Sequence, residues 1–279
     1  MLKKIDKIKD LFDVFLFDMY GVLWDGKNVK QEFLDTAKEL REMGKVVKIL
    51  SNSSDQVDDY VKKWSEQGII KGMHYDEMVT SGTVARDIFS KQEKLKFFQM
   101  GWPNKELFDR LHFEEMSAPD DADFVYIGAP INIDYEKKDW TGNFDVEKYK
   151  GELHKYKDMG KTLICCNPDL RAFSSKYEEP IIVDGSIAQY YQEIGGEVEP
   201  LGKPYPEVYD YALRDYEGDD ERVLMIGDTL ETDILGAISY GIKSMLVEGG
   251  ITTYNMRKEG FDDIMEYIEE LDIVPDYII

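Results

Sequence analysis

Only two cysteines occur in the 279 residues, and they are neighbours, Cys165 and Cys166. Adjacent thiols give neither a disulfide framework nor a spaced pair of metal ligands, so a reducing cytoplasm is the expected compartment. Histidine is almost as scarce, and His74, His112 and His154 are scattered without ligand spacing, which predicts structural or exposed roles. Long apolar runs are missing: VLMIG at 223–227 and TLICC at 162–166 are far too short to cross a bilayer, so no membrane association is expected. The opening MLKKIDKIKDLFDVF lacks the unbroken apolar centre of a secretory signal. Its Ile5, Ile8, Leu11 and Phe12 fall at helical spacing, which predicts a short amphipathic lead-in helix.

Positive charge is in short supply too. With 34 Lys and Arg against 57 Asp and Glu, the formal charge is −23, and about −17 of it falls in residues 181–279. Binding a phosphate backbone needs a basic footprint, so nucleic acid is not expected as a partner, whereas a small anion can still enter a locally positive pocket. There is no internal repeat, low-complexity tract or Gly/Ser linker. The aromatics, Tyr190, Tyr191, Tyr205, Tyr209 and Tyr211 among them, are expected in core and helix packing rather than in a base-stacking platform.

What the chain has is a recurring unit of short apolar strand, turn and amphipathic helix. VFLFD (14–18) leads into QEFLDTAKELREMG, VVKILSNSS (46–54) into DQVDDYVKKWSEQG, and RVLMIGD (222–228) into ETDILGAISYG, with IKSMLVEGG (242–250) closing the series. Strands alternating with helices of this length predict an α/β fold, a doubly wound parallel sheet with helices on both faces. Between about 83 and 180 the texture changes, with strands KLKFFQMG, DFVYIGAP and KTLICCNPD and the helix FDVEKYKGELHKYKDMG. The expected organisation is a Rossmann-like core from residues 1–82 and 181–279, with an inserted second α/β unit at 83–180.

Each polar residue of interest stands where an open α/β sheet binds ligands, at a strand's C-terminal end. Asp18 ends the first strand and is followed by Gly21, which permits a sharp turn. Ser51 and Asn52 in ILSNSS supply a hydroxyl and an amide suited to a tetrahedral anion. Lys203, between Gly202 and Pro204, is a fixed cation, and GDTLETD carries Asp228 and Asp233. Hard Mg²⁺ favours a few carboxylates plus phosphate oxygens, and Asp18, Asp228 and Asp233 can provide the former. Carboxylates without a cation and a lysine would repel a phosphate, so the four clusters make sense only as one site. Taken singly, each has an ordinary reading as a cap, a loop or a turn.

Taken together, FDMYGVLWDG, ILSNSS, the insert ending in NPD, DGSIAQYYQEIGG, GKPYPEVYDYAL and VLMIGDTLETDILGA resemble the haloacid dehalogenase-like hydrolase superfamily. The resemblance is to its class IIA branch, with a large C2-type cap between the second and third motifs, the NagD-like phosphatases. It implies that Asp18 is a nucleophile forming an aspartyl-phosphate and that Ser51, Asn52 and Lys203 hold phosphate. It also implies that Asp228 is a direct magnesium ligand, Asp233 a direct or water-mediated one, and the backbone carbonyl of Tyr20 a further one. The implied substrate is a small phosphorylated molecule, with Asn167, Asp169 and Arg171 of NPDLRAF facing the cleft; a second copy of the chain is left open as a partner.

The departure is the side chain at 20. Ordinary superfamily phosphatases carry an aspartate there, which protonates the leaving oxygen and later activates water; this chain has Tyr20. Such acid–base help contributes about 10²–10⁴-fold, so its loss should slow turnover without preventing binding. Three readings follow. One is a phosphatase or phosphotransferase whose substrate leaves easily or whose proton moves through Asp25, Asp55 or the substrate itself, although Asp25 also reads as the start of an Asp-Gly turn. The others are a weak or inactive phosphate-ligand binder with a regulatory role, and a dehalogenase, against which the retained acidic motif argues.

Overall fold

The computed structural model describes residues 2–130, 145–175 and 177–279. Its strands are β1 (Val14–Phe17), β2 (Val46–Ser51), β3 (Glu77–Thr80), β4 (Lys96–Met100), β5 (Glu114–Glu115), β6 (Phe124–Ile127), β7 (Thr162–Cys165), β8 (Arg171–Ala172), β9 (Ile181–Ile182), β10 (Glu197–Pro200), β11 (Val223–Gly227), β12 (Lys243–Leu246) and β13 (Tyr277–Ile278). Six form a parallel sheet in the order β13-β12-β11-β1-β2-β3, as the strand–helix alternation predicts.

β1 sits at the centre of that sheet, and every one of its residues is buried. Because successive side chains point to opposite faces, Phe15 and Phe17 pack with Phe33, Leu34 and Leu40 of the helix Gln31–Glu42, while Val14 and Leu16 pack with Val208, Tyr209 and Ala212 of the helix Pro206–Leu213. Helices thus cover both faces. The lead-in helix forms over Leu2–Ile8 and buries Ile5 against the first of these clusters.

A second, five-stranded parallel sheet, β10-β7-β6-β4-β5, makes the inserted unit. In β6, Val125 and Ile127 face the helices Lys150–Asp158 and Asp184–Glu193, and Phe124 and Tyr126 face Phe97, Phe108 and Phe89. Phe89 lies on the helix Ser81–Ser90, whose Val84 packs into the core cluster instead, so one helix braces both units.

The insert runs further than the boundary at 180 anticipated. The helix Asp184–Glu193 packs on its sheet, and β10 pairs with β7 through Glu197 to Pro200. Within the residues 181–279 expected in the core, β10 is instead an edge strand of the second sheet with Glu197 and Glu199 exposed, and such a half-polar edge carries little apolar signal. The chain returns to the core after Pro200. Part of the expected segment FDVEKYKGELHKYKDMG, Phe144, lies outside the described residues; the remainder is a 3₁₀ turn at Val146–Lys148 and the helix Lys150–Asp158.

Candidate active site

Three strand ends deliver polar side chains to one edge of the core sheet. Asp18 follows β1, Ser51 ends β2 with Asn52 just after it, and Asp228 follows β11. After Asp228 the chain winds one π turn, Leu230–Ile234, before the helix Leu235–Tyr240, and Thr229 O accepts from both Asp233 N (2.9 Å) and Ile234 N (3.3 Å). That wider turn swings Asp233 back beneath Asp228, where its Oδ2 accepts from the backbone N–H groups of Asp228 and Thr229, both at 3.1 Å. Oxygens of Asp18, Asp228 and Asp233 then lie within 4.8 Å of one another, and all three residues are buried.

Gly21 makes this approach possible. Its φ is +80°, and a Cβ there would lie 2.0 Å from Asp228 Oδ2. Any side chain at this position would displace the carboxylate, so the turn after β1 can close onto the β11 loop only through glycine.

Lys203 reaches in from the loop after β10. Its Nζ donates to Asp18 Oδ1 and Asp233 Oδ1, both at 2.6 Å, and to the carbonyl of Leu50 at 3.0 Å. Burial opposes the ammonium's charge, but Asp18 and Asp233 beside it hold its pKa above the ordinary value. One lysine cannot balance three carboxylates. Burial pushes Asp18 well above the usual carboxylate range, with Asp233 and Asp228 adding to it against Lys203. Burial and Asp233 push Asp228 up to about 7. A site with surplus buried negative charge and hard oxygen donors suits a divalent cation of the magnesium type.

Asn52 ties the core to the insert. Its Oδ1 accepts from Lys203 N (2.7 Å), and its Nδ2 donates to Lys203 O (3.0 Å) and to Asp169 Oδ1 (2.8 Å). Ser81 donates to Asn52 Oδ1 and to Ser51 O, both at 3.2 Å. Ser51 Oγ accepts from Ser53 N at 3.2 Å and pairs with Tyr60 OH at 3.3 Å. These residues border a cavity of about 280 Å³, whose wall also includes Asn167, Asp169 and Arg171. The ten positions read as nucleophile, phosphate, metal or specificity residues thus converge on it: Asp18, Tyr20, Ser51, Asn52, Asn167, Asp169, Arg171, Lys203, Asp228 and Asp233.

Tyr20 is half-buried at the wall, with its ring in an aromatic cluster 5.4 Å from Trp24 and 5.7 Å from Trp64. Its hydroxyl accepts from Lys63 Nζ at 3.2 Å. The other expected proton carriers separate cleanly. Asp25 is absent from the cavity wall, and its Oδ1 accepts from Lys27 N (2.8 Å) and Asn28 N (2.7 Å), the turn role the sequence offered as its alternative. Asp55 does line the cavity. His74 Nδ1 accepts from Ile70 N at 3.0 Å, His154 pairs with Tyr190 OH at 3.2 Å, and His112 is exposed; none of the three borders the cavity.

Sequence reasoning missed Tyr60, Ser81, Thr232 and Asp184, all of which meet the site or its wall. Ser81 alone had a signal, since it follows an apolar strand as Asp18 does. No helix among the described residues is long and apolar enough to cross a membrane.

The chain is similar to known proteins over nearly its whole length. A family model described as haloacid dehalogenase-like hydrolase matches residues 15–113, and one described as HAD-hydrolase-like matches 200–276. A 4-nitrophenylphosphatase of Schizosaccharomyces pombe is 27% identical over 293 residues, covering 99% of this chain and 94% of that protein. Among solved structures, a haloacid dehalogenase-like hydrolase from Brucella suis superposes with a TM-score of 0.79 at 26% identity, over 88% of this chain and 92% of that one. NagD from E. coli shares the fold, with a TM-score of 0.65 at 18% identity over 96% and 95% of the two chains.

Proposed function

The chain belongs to the haloacid dehalogenase-like hydrolases, and on that premise we propose that it is a magnesium-dependent phosphatase acting on small phosphate esters through a phosphoryl group carried by Asp18. The observation that supports this most is the meeting of Asp18 with Lys203, at 2.6 Å, beside the Asp228–Asp233 pair at the cavity wall.

In this reading an Asp18 carboxylate oxygen forms a bond to phosphorus while the ester P–O bond breaks and its electron pair departs on the alcohol oxygen, which takes up a proton. Water then attacks the phosphorus of the aspartyl-phosphate, releases inorganic phosphate and returns the electron pair to Asp18. Lys203 keeps Asp18 oriented and offsets the charge of the incoming phosphoryl oxygens, the Ser51 hydroxyl is a further donor to them, and Asn52, whose amide N–H groups go to Lys203 O and Asp169 Oδ1, acts by holding the Lys203 backbone in place. Asp18, Asp228, Asp233 and the backbone carbonyl of Tyr20 would hold the magnesium ion, which supplies Lewis-acid neutralisation of the phosphoryl charge. A dehalogenase attacks carbon and has no use for that acidic set.

Tyr20 sets the limit on rate. A phenol packed against Trp24 and Trp64 and bonded to Lys63 replaces the expected carboxylic acid, so esters whose alcohol leaves readily, aryl phosphates first, should turn over best. The test is an acid quench during turnover of 4-nitrophenyl phosphate with Mg²⁺, followed by peptide mass spectrometry. A phosphoryl adduct on the peptide containing Asp18 supports the reading, and turnover with no adduct there or an adduct elsewhere overturns it.

A further inference from the structure

One carboxylate at the cavity wall has no part in the chemistry above. Asp184 is the first residue of the helix Asp184–Glu193, is 1% exposed, and borders the cavity that contains Asp18. Neither of its oxygens meets a hydrogen-bond donor from another residue among the described residues. A carboxylate at a helix start is ordinarily satisfied by water or by the helix's own N–H groups; removed from water without a donor, it costs stability.

The neighbourhood makes the deficit worse. Burial pushes the Asp184 carboxyl up to about 8, and the charges of Asp169 and Asp55 add to the effect. The cations of the site are engaged elsewhere: Lys203 is bonded to Asp18, Asp233 and Leu50 O, and the Arg171 guanidinium lies 5.9 Å from the ring centroid of Tyr254. Nor can the helix start retreat from the wall. A Cβ at Gly185 would lie 2.2 Å from Pro168 O and 2.4 Å from Asp169 O, so the backbone is pressed onto the loop whose Asp169 grips Asn52.

Resting on the phosphatase reading, we propose that Asp184 is the counter-charge for a protonated amine on the organic half of the ester, so that the enzyme selects amino-alcohol phosphates. An ammonium group carries three donors and a compensating charge, which answers both deficits at once. A neutral alkyl group offers Asp184 no donor, and a carboxylate-bearing ester offers it neither a donor nor a compensating charge. With Asp18 at one part of the wall and Asp184 at another, a cavity of about 280 Å³ accommodates a short amino-alcohol ester.

The experiment compares kcat/KM for 2-aminoethyl phosphate and for its neutral isostere propyl phosphate, in the wild type, Asp184→Asn and Asp184→Ser, with 4-nitrophenyl phosphate as the marker of phosphatase activity. The expected wild-type preference for the amine is about tenfold or more, falling towards one in whichever variant folds by circular dichroism. The ratio does not depend on how much of a preparation is active. Turnover of the marker with no amine preference in the wild type, or with the preference intact in a variant, overturns the inference alone. No turnover of the marker by the wild type removes the phosphatase reading, and the inference with it.

Discussion

Lys203 and Asp18, 185 residues apart in sequence, are joined by a 2.6 Å bond between Nζ and Oδ1, buried where the core sheet meets the insert. The same Nζ stands 2.6 Å from Asp233, so one ammonium bridges the carboxylate that follows β1 and one from the π turn after β11. Removing it leaves two buried acids without a counter-ion. Lys203→Met should therefore lower stability by roughly 3–5 kcal/mol, the usual effect of breaking a buried pair from one side. Urea unfolding in the presence of a chelator measures this, and a change within about 0.5 kcal/mol would show that the bridge contributes little.

Magnesium should act as the missing part of that charge balance. Adding Mg²⁺ should raise the wild-type melting temperature, corresponding to about 2.7 kcal/mol at a hundred times the dissociation constant. Asp228→Asn should lose most of the shift, and a chelator should abolish phosphate release until Mg²⁺ is restored. An equal shift in Asp228→Asn would place the ion elsewhere.

Tyr20→Asp should raise turnover of alkyl phosphates more than of aryl ones, because alkoxide leaving groups depend most on an acid. The ring packs on Trp24 and Trp64, so the variant should also melt lower, but the alkyl-to-aryl ratio is independent of the folded fraction. A rise of about tenfold or more in the ratio is expected, and an unchanged ratio would show that position 20 is not where the proton is missing.

The Asp184 carboxyl, at about 8 when folded, lies well above the value of about 3.9 expected when unfolded. Between these values the folded state keeps a proton that the unfolded state has lost, so this group's contribution to stability falls as pH rises through the window. Asp184→Asn removes the effect. Its melting temperature should gain on the wild type steadily from pH 5 to pH 8, whereas parallel curves would mean that Asp184 finds a partner.

How much of this was legible in the sequence depended on where each residue stands. Asp18, Ser51 and Asp228 each end an apolar run, and topology alone carries such ends to one edge, so their convergence could be read from the chain. Lys203 was readable only through its neighbours in GKP. Asp184 was not: its preceding strand β9 has two residues, and an acid opening a helix is too common to single out. Tyr60 joins Ser51 from the helix Val57–Glu66, an arrangement fixed by packing of Trp64 and Tyr20 rather than by local pattern. The 180 boundary failed because β10 alternates glutamate with Val198 and Pro200 at a sheet edge, where few apolar residues are needed.

The account centres on Asp18 as the group that takes the phosphoryl, and the most direct measurement is steady-state phosphate release from 4-nitrophenyl phosphate with Mg²⁺, wild type against Asp18→Asn. An amide of the same shape keeps the place at the end of β1 but cannot supply the attacking oxygen. The expected result is release well above background in the wild type and a fall to background in the variant; equal rates in the two proteins would contradict it.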